Sequence, residues 1–272
     1  MRKYEMFIAD IDDTLRVKGG SCGPITREAL KEMQKRGMIV AIASGRPLWQ
    51  GLLTHYSDWG LEKQFDLIIG MNGGEIYDVR KGTTEHFHPL SRETLKEITT
   101  KMYTVHQNPF VYRNGYMLAM RMDPFMERSA KRNRNEVVLA KDISEMWAEE
   151  TGKILFRTGS AEELKPVEAY AKTIDCDRYV SFKTGPDLLE IQDPRVTKGA
   201  GLRHYCEANG INLENVIAFG DADNDRAMLE AAGTSVCLCN GQKDIQAMCD
   251  YVTEYPCAED GAGRWLFDHL LK

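Results

Sequence analysis

Short apolar runs that end abruptly in polar residues recur along this chain of 272 residues. Three of these runs, at residues 7–9, 39–43 and 216–219, are typical of buried strands because their side chains are apolar on both faces. Amphipathic stretches lie between them, such as residues 26–36, a predicted helix with Thr26 as its N-cap. Alternating strands and helices predict an α/β fold with a doubly wound, mainly parallel sheet.

The pattern changes between residues 82 and 191, where helical stretches alternate with segments typical of antiparallel strands. We therefore predict an inserted α+β domain at 82–191 and a discontinuous core domain at 1–81 and 192–272. The predicted elements of the insertion are a helix at 91–103, a hairpin at 110–121 turning at Asn114-Gly115, a short helix at 142–150, a strand at 153–157, a helix opened by a capping box at 160–163, and strands at 179–183 and 188–191.

Carboxylates follow the first buried strand at Asp10, Asp12 and Asp13. The carboxyl ends of parallel strands open into the crevice where α/β sheets bind ligands. Asp10 and Asp12, at positions i and i+2, should both face that crevice and share a divalent cation. The alternative is an acidic loop that follows a strand by chance.

Polar residues also follow the other two strands. Ser44, Gly45 and Arg46 end the second strand, with Pro47 near a predicted first helical position, where free backbone N–H groups attract phosphate. The third strand ends in acids at residues 221–225, and Lys198 lies at a predicted helix start. Each has a structural alternative: Ser44 as a helix cap, Lys198 as a solvated lysine, and Asp225 as a partner of a helix dipole.

These four clusters, in this order, resemble the motifs of the haloacid dehalogenase-like phosphohydrolases. The motifs are Asp-x-Asp-x-Thr at 10–14, a serine or threonine at 44, a lysine at 198, and Gly-Asp-x-x-Asn-Asp at 220–225. The finer resemblance is to the Cof-type, or type IIB cap, branch. It rests on the sequences at 71–74, 189–191 and 259–261, and implies a Rossmann-like core with residues 82–191 as its cap domain.

The resemblance implies a role for each motif residue. Asp10 would be the nucleophile that forms an aspartyl-phosphate, and Asp12 the general acid and base. Mg²⁺ would be bound by Asp10, Asp221 and the backbone carbonyl of Asp12, an all-oxygen set that suits this ion. The implied phosphate-binding residues are Ser44, Gly45, Lys198 and Asn224, and the implied supporting residues are Thr14, Asp225, Arg46 and Asn72.

Departures from the family pattern lie beside these residues. Asp13 and Asp223 stand where the family usually has glycine, Arg195 replaces a common glycine, and residues 239–241 replace a usual Gly-Asn-Ala. These differences bear on the choice of substrate more than on the reaction.

The implied function is Mg²⁺-dependent hydrolysis of small phosphate esters: sugar phosphates, nucleotides or phosphorylated cofactors. One alternative is phosphoryl transfer of the phosphosugar mutase kind, in which phosphate moves between two oxygens of one sugar. A second is a non-catalytic regulatory module that binds phosphorylated metabolites. The physiological substrate, the cap residues that select it and the oligomeric state do not follow from the sequence.

Composition narrows the possible partners. The formal net charge is −6 and no block of lysine and arginine appears, which argues against nucleic acid as a partner. No apolar run approaches the ~18 residues that indicate a membrane span. Without a signal peptide, the protein is expected in the cytoplasm, with its seven cysteines as reduced thiols.

Overall fold

The computed structural model describes residues 4–272, which divide into two compact units. The first, here the core unit, contains residues up to 48, 52–86 and 197–272. The second, here the inserted unit, contains residues 49–51 and 87–196. Assignment of the inserted unit as a cap stays a prediction.

The strands are β1 (Met6–Asp10), β2 (Ile39–Ala43), β3 (Leu67–Gly70), β4 (Glu75–Asp78), β5 (Thr83–His86), β6 (Pro109–Arg113), β7 (Tyr116–Ala119), β8 (Glu136–Leu139), β9 (Lys153–Arg157), β10 (Val180–Gly185), β11 (Leu188–Gln192), β12 (Val216–Gly220), β13 (Thr234–Cys237) and β14 (Tyr251–Val252). The α-helices are α1 (Pro24–Lys35), α2 (Gln50–Leu53), α3 (His55–Asp58), α4 (Arg92–Met102), α5 (Pro124–Asn133), α6 (Ala161–Ile174), α7 (Lys198–Asn209), α8 (Arg226–Ala231), α9 (Lys243–Met248) and α10 (Gly261–His269). Short 3₁₀ turns occupy Met71–Gly73, Ile143–Trp147, Leu213–Asn215, Asp223–Asp225 and Cys257–Glu259.

The core unit is built on a sheet with the strand order β14-β13-β12-β1-β2-β3-β4-β5. Its pairs are parallel from β14 to β3, and antiparallel for β3-β4 and β4-β5. Strand β1 lies between β12 and β2 and is buried on both faces, which explains its uninterrupted apolar sequence. The predicted fold class, a mainly parallel α/β core with an α+β insertion, is confirmed.

Helix α1 begins earlier than its local sequence suggests. The predicted N-cap, Thr26, lies inside the helix, because α1 starts at Pro24 with Gly23 as its N-cap. The backbone N–H of Thr26 donates instead to Asp260 Oδ1 at 3.0 Å. A Cβ atom on Gly23 would lie only 2.1 Å from that oxygen, so glycine leaves room for a cap supplied from the far end of the chain.

We expect Asp260→Gly to destabilise the protein by about 1 kcal/mol or more, because it removes this buried cap. Glycine retains the left-handed backbone of Asp260, at φ 62°, so backbone strain does not confuse the result. Asp260→Asn is the matched control, because asparagine tolerates this backbone and its amide oxygen can still accept. Urea unfolding measures both variants, and equal stability of the two would contradict the capping role.

The inserted unit contains a sheet with the strand order β10-β11-β9-β6-β7-β8. The predicted hairpin is present as β6 and β7, and its turn residues Asn114 and Gly115 have φ values of 43° and 88°. Positive φ at both positions is the geometry that favours Asn-Gly in two-residue hairpin turns. The local turn signal therefore predicts this part of the unit correctly.

Two details of the inserted unit differ from the sequence-based prediction. Helix α5 and strand β8 were not predicted, and β8 pairs in parallel with β7 after the α5 crossover. Ser160 caps α6 by accepting from the N–H of Glu163, but the Glu163 side chain accepts from Gly159 N at 2.9 Å and not from Ser160 N. The predicted capping box is therefore only half formed.

Within residues 4–272, no helix has the length and apolarity needed to cross a bilayer.

Candidate active site

The polar ends of three central strands lie at the same edge of the core sheet. Strand β1 pairs in register with β2, Asp10 opposite Ala43, and with β12, Ala9 opposite Phe219. The residues that follow each strand therefore emerge side by side. This register places Asp10, Ser44 and Asp221 near one another, although they are far apart in sequence.

Lys198 lies at the centre of this cluster. It is the first residue of α7, and the Thr197 side chain caps that helix by accepting from the N–H of Ala200 at 3.0 Å. The Lys198 ammonium donates to Asp10 Oδ1 and, at 2.6 Å, to Asp225 Oδ1. Lys198 and Asp225 are both fully buried. The alternative of a solvated first-turn lysine is therefore wrong.

Burial disfavours the charged ammonium, but the two carboxylates outweigh it and raise the pKa of Lys198 above its usual value. Lys198 consequently stays positive across the physiological range. The structure thus holds a buried cation against Asp10.

Three carboxylates meet beside this lysine. Asp10, Asp221 and Asp225 each offer an oxygen, and these oxygens lie within 4.8 Å of one another. Burial, followed by the charge of Asp225, raises the pKa of Asp221 to about 7, while a 2.7 Å hydrogen bond from Thr14 Oγ1 opposes the shift. Burial is also the main reason that the pKa of Asp10 is well above its usual value. Such a desolvated acidic cluster could bind a metal cation through oxygen ligands.

The Asp225 carboxylate is satisfied by protein donors. Its Oδ1 accepts from Lys198, and its Oδ2 accepts from the backbone N–H groups of Asp221 and Ala222 at 3.0 and 3.1 Å. Asp225 therefore orients both the lysine and the loop that carries Asp221. The alternative in which Asp225 serves only a helix dipole does not account for these bonds.

The Asp12 side chain has different neighbours from the other acids. Its Oδ2 accepts from Arg46, and its Oδ1 accepts from Arg16 Nε at 3.2 Å. Burial raises the pKa of the Asp12 carboxyl, but Arg46, Arg16 and Lys18 outweigh it, so this pKa is lower than usual. Arg16 was not singled out in the sequence; its only signal was a basic residue four positions after Asp12.

The segment after β2 is not a helix N-terminus, so the prediction of a helix beginning near Pro47 is wrong. The next helix, α2, starts at Gln50 and has only four residues. Backbone hydrogen bonds hold this bent, non-helical segment: Asn72 N donates to Ser44 O at 3.0 Å and Met71 N donates to Arg46 O at 2.8 Å. Ser44 Oγ accepts from Arg46 N at 3.2 Å, which caps a local turn instead of a helix.

Asn72 lies against this segment in the left-handed conformation, at φ 57°, and is buried. A Cβ atom on Gly45 would lie 3.0 Å from Asn72 Oδ1, and Asn224 Nδ2 donates to the same oxygen at 3.4 Å. Gly45, Asn72 and Asn224 are thus neighbours. The structure brings together all the residues to which the sequence motifs assign a role, and those roles stay predictions.

Known proteins share this arrangement of sequence and fold. The family model described as haloacid dehalogenase-like hydrolase matches residues 7–266. A phosphoglycolate phosphatase of Methanosarcina acetivorans is 26% identical, with 93% of this chain and 91% of the relative covered. A 5-amino-6-(5-phospho-D-ribitylamino)uracil phosphatase of Bacillus subtilis is 24% identical, with 98% of each covered.

A crystal structure of a haloacid dehalogenase-like hydrolase from Bacteroides thetaiotaomicron has a TM-score of 0.87 and 26% identity, and the match covers 98% of this chain and 99% of that one. The family model and the phosphatases among the relatives identify an enzyme of the phosphoric monoester hydrolase class. The chain belongs to the haloacid dehalogenase-like hydrolases, in the Cof-type branch that its motifs resemble.

Proposed function

We propose that this protein is a Mg²⁺-dependent phosphatase that hydrolyses small phosphorylated metabolites through an aspartyl-phosphate on Asp10. The observation that carries the proposal is the buried Lys198 held between Asp10 and Asp225, with Asp221 in the same cluster. A cation beside a carboxylate would let an anionic phosphate approach an anionic nucleophile. The neighbouring acids supply the complementary site for a divalent cation.

The metal ligands would be Asp10, Asp221 and the backbone carbonyl of Asp12. The donor set fits Mg²⁺, because it consists of oxygen atoms and because the desolvated carboxylates repel one another without a counter-ion. When bound, Mg²⁺ would neutralise charge on the carboxylates and on the phosphate. The Asp12 carboxylate, held by arginines, stays available for proton transfer.

In the first step, a carboxylate oxygen of Asp10 would attack phosphorus as the bond to the leaving oxygen breaks. Asp12, in its protonated form, would donate its proton to that oxygen, so that an alcohol leaves. The phosphoryl oxygens would be bound by Lys198, Ser44, the N–H of Gly45 and Asn224. Donors fixed before the substrate binds would stabilise the charge of the transition state without reorganisation.

In the second step, water would attack the phosphorus of the aspartyl-phosphate and regenerate Asp10. Asp12 would take a proton from that water, which returns it to the protonated state for the next cycle and releases inorganic phosphate. The arginines that lower the pKa of Asp12 favour this second role, since a general base must first be ionised.

The supporting residues would act through these groups. Thr14 orients Asp221 through its 2.7 Å hydrogen bond, and Asp225 orients Lys198. Asn72 positions Asn224 beside Gly45. Arg46 contacts Asp12 and would help fix its carboxyl group.

The proposed substrates are small esters such as sugar phosphates, nucleotides or phosphorylated cofactors. The phosphoglycolate and ribitylaminouracil phosphatases among the relatives support substrates of this size. The formal net charge of −6 is also unfavourable for binding a nucleic-acid backbone. We expect the small phosphate ester to be recognised through the local cationic site at Lys198.

We expect hydrolysis of a panel of such esters to require Mg²⁺, because without the ion Asp10 and Asp221 present adjoining anions to an anionic substrate. Inorganic phosphate release is measured in excess EDTA and again after Mg²⁺ is restored, with Ca²⁺ as a control for simple charge. Full activity in EDTA would contradict the metal assignment. Transfer of phosphate within a hexose phosphate, without release, would instead indicate the mutase reaction.

A further inference from the structure

Arg16 contacts the proposed acid and base, Asp12, and no sequence motif assigns it a role. We infer that Arg16 is a positioning residue for Asp12, whose guanidinium group holds the carboxyl in the orientation that proton transfer requires. The inference rests on the function proposed above and adds a residue to it.

The local backbone brings Arg16 back beside Asp12. The N–H groups of Leu15 and Arg16 both donate to Ile11 O, at 3.0 and 3.1 Å, and Asp13 N donates to Arg16 O at 2.6 Å. Asp13 adopts φ 66°, which closes this tight turn immediately after β1. The contact is thus built by the same segment that carries Asp10 and Asp12.

Two arginines hold the two oxygens of Asp12. Arg16 directs both Nε and Nη2 at Oδ1, each at 3.2 Å, and Arg46 Nη2 donates to Oδ2. With a donor group on each oxygen, rotation of the carboxyl plane would break hydrogen bonds on one side or the other. Arg16 and Arg46 therefore restrict the orientation of the group that has to transfer the proton.

Arg16 is itself fixed by other contacts. Its Nη1 donates to Gly20 O at 3.2 Å, and its guanidinium lies 5.9 Å from the ring centroid of buried Trp59. Trp59 stacks in turn on His55, at 5.2 Å between ring centroids. Only 8% of Arg16 is exposed. A side chain that is ordered before substrate binds loses little further entropy in holding Asp12.

A merely structural arginine would have a different effect when removed. Exposed ion pairs contribute little to folding stability. The pair of Arg16 and Asp12, in contrast, is largely buried beside the proposed reaction centre. Loss of a structural arginine would reduce the amount of folded enzyme and lower activity towards all esters by the same factor. Loss of a positioning residue would affect only the steps in which Asp12 moves a proton.

Leaving groups separate these two possibilities. An alkyl phosphate needs a proton from Asp12 as the ester bond breaks, whereas an aryl phosphate releases a stable phenolate without one. Both substrates then form the same aspartyl-phosphate, and its hydrolysis needs Asp12 as base. The constant kcat/KM reports the steps up to the first irreversible one, whereas kcat also includes hydrolysis of the intermediate.

The test compares Arg16→Gln with the wild-type protein, in Mg²⁺, on one alkyl and one aryl phosphate. We expect kcat/KM for the alkyl ester to fall at least about tenfold and kcat/KM for the aryl ester to stay within about threefold. For the aryl ester, kcat and KM should fall together, and a burst of phenolate should precede slow turnover. This difference between the two esters in their loss of kcat/KM, here called the split, is not expected of a residue that only stabilises the fold.

Two further variants complete the test. Arg16→Lys keeps the positive charge but lacks the planar guanidinium group. We expect it to show the same difference between the alkyl and aryl esters in their loss of kcat/KM, but a smaller one. Arg36→Gln removes another paired arginine of the core unit, which binds Glu32 and Leu271 O, and we expect no split. Equal losses for both esters in Arg16→Gln, or no loss for either, would overturn the inference. Wild-type protein inactive on both esters would instead overturn the proposed phosphatase function.

Discussion

Asp10→Asn is expected to abolish hydrolysis of every phosphate ester, whatever its leaving group. The substitution replaces the attacking carboxylate oxygen with an amide of nearly the same shape, so no acyl-phosphate can form on this residue. It also removes one negative ligand from the cluster with Asp221 and Asp225. The measurement is steady-state release of phosphate from an aryl phosphate, because its leaving group needs no proton from Asp12.

Asp13→Asn is the matched control for this change, since it makes the same replacement three residues further on. Asp13 accepts from Lys18 N at 3.0 Å and has φ 66°, and asparagine can reproduce both features. We expect this variant to retain activity. Sustained turnover by Asp10→Asn would exclude Asp10 as the nucleophile.

Lys198→Met is expected to lower kcat/KM about a hundredfold or more, the usual effect of removing a preorganised transition-state donor. Methionine retains much of the apolar stem and removes only the ammonium that contacts Asp10 and Asp225. Because Lys198 is fully buried, the same change should also destabilise the fold, by about 3–5 kcal/mol for a broken buried ion pair. Activity is therefore measured well below the unfolding transition of the variant.

Lys153→Met controls for the cost of breaking a buried ion pair. Lys153 donates to Glu190 Oε2 at 2.7 Å in the inserted unit, and both side chains are almost completely buried. We expect a comparable loss of stability from this variant and a much smaller loss of activity on an aryl phosphate. Equal losses of activity in the two lysine variants would indicate that Lys198 has only a structural role.

The sequence predicts the core strands well, because short apolar runs in a parallel sheet are buried on both faces. The run before Asp10 and the run before Asp221 are found as β1 and β12, and they are adjacent in the sheet. Parallel pairing then brings their polar ends together without further information. The resemblance to the family adds Lys198, which no local pattern connects to Asp10.

Some contacts between distant residues cannot be predicted from the local sequence pattern. The burial of Lys198 depends on two carboxylates, at Asp10 and Asp225, that come from separate segments. The start of α1 depends on Asp260, near the other end of the chain. The local alternation of polar and apolar residues predicts neither the burial of Lys198 nor the start of α1.

At Ser44, the local sequence predicts a structure that the fold does not adopt. Serine, glycine and a nearby proline are typical of a helix start, and that local signal was misleading. Hydrogen bonds from Met71 and Asn72 to the carbonyls of Arg46 and Ser44 hold the segment in a bent, non-helical course. Tertiary pairing therefore overrides the local preference at one of the proposed phosphate-binding positions.

The most direct test of the proposed mechanism is to trap the covalent intermediate in Asp12→Asn. With an aryl phosphate and Mg²⁺, this variant can still undergo attack by Asp10, but the water of the second step lacks its base. Mass spectrometry of the intact protein, followed by borohydride reduction and peptide mapping, locates any phosphoryl group. We expect one phosphoryl group on Asp10, whereas a phosphoryl group on any other residue would contradict the proposed mechanism.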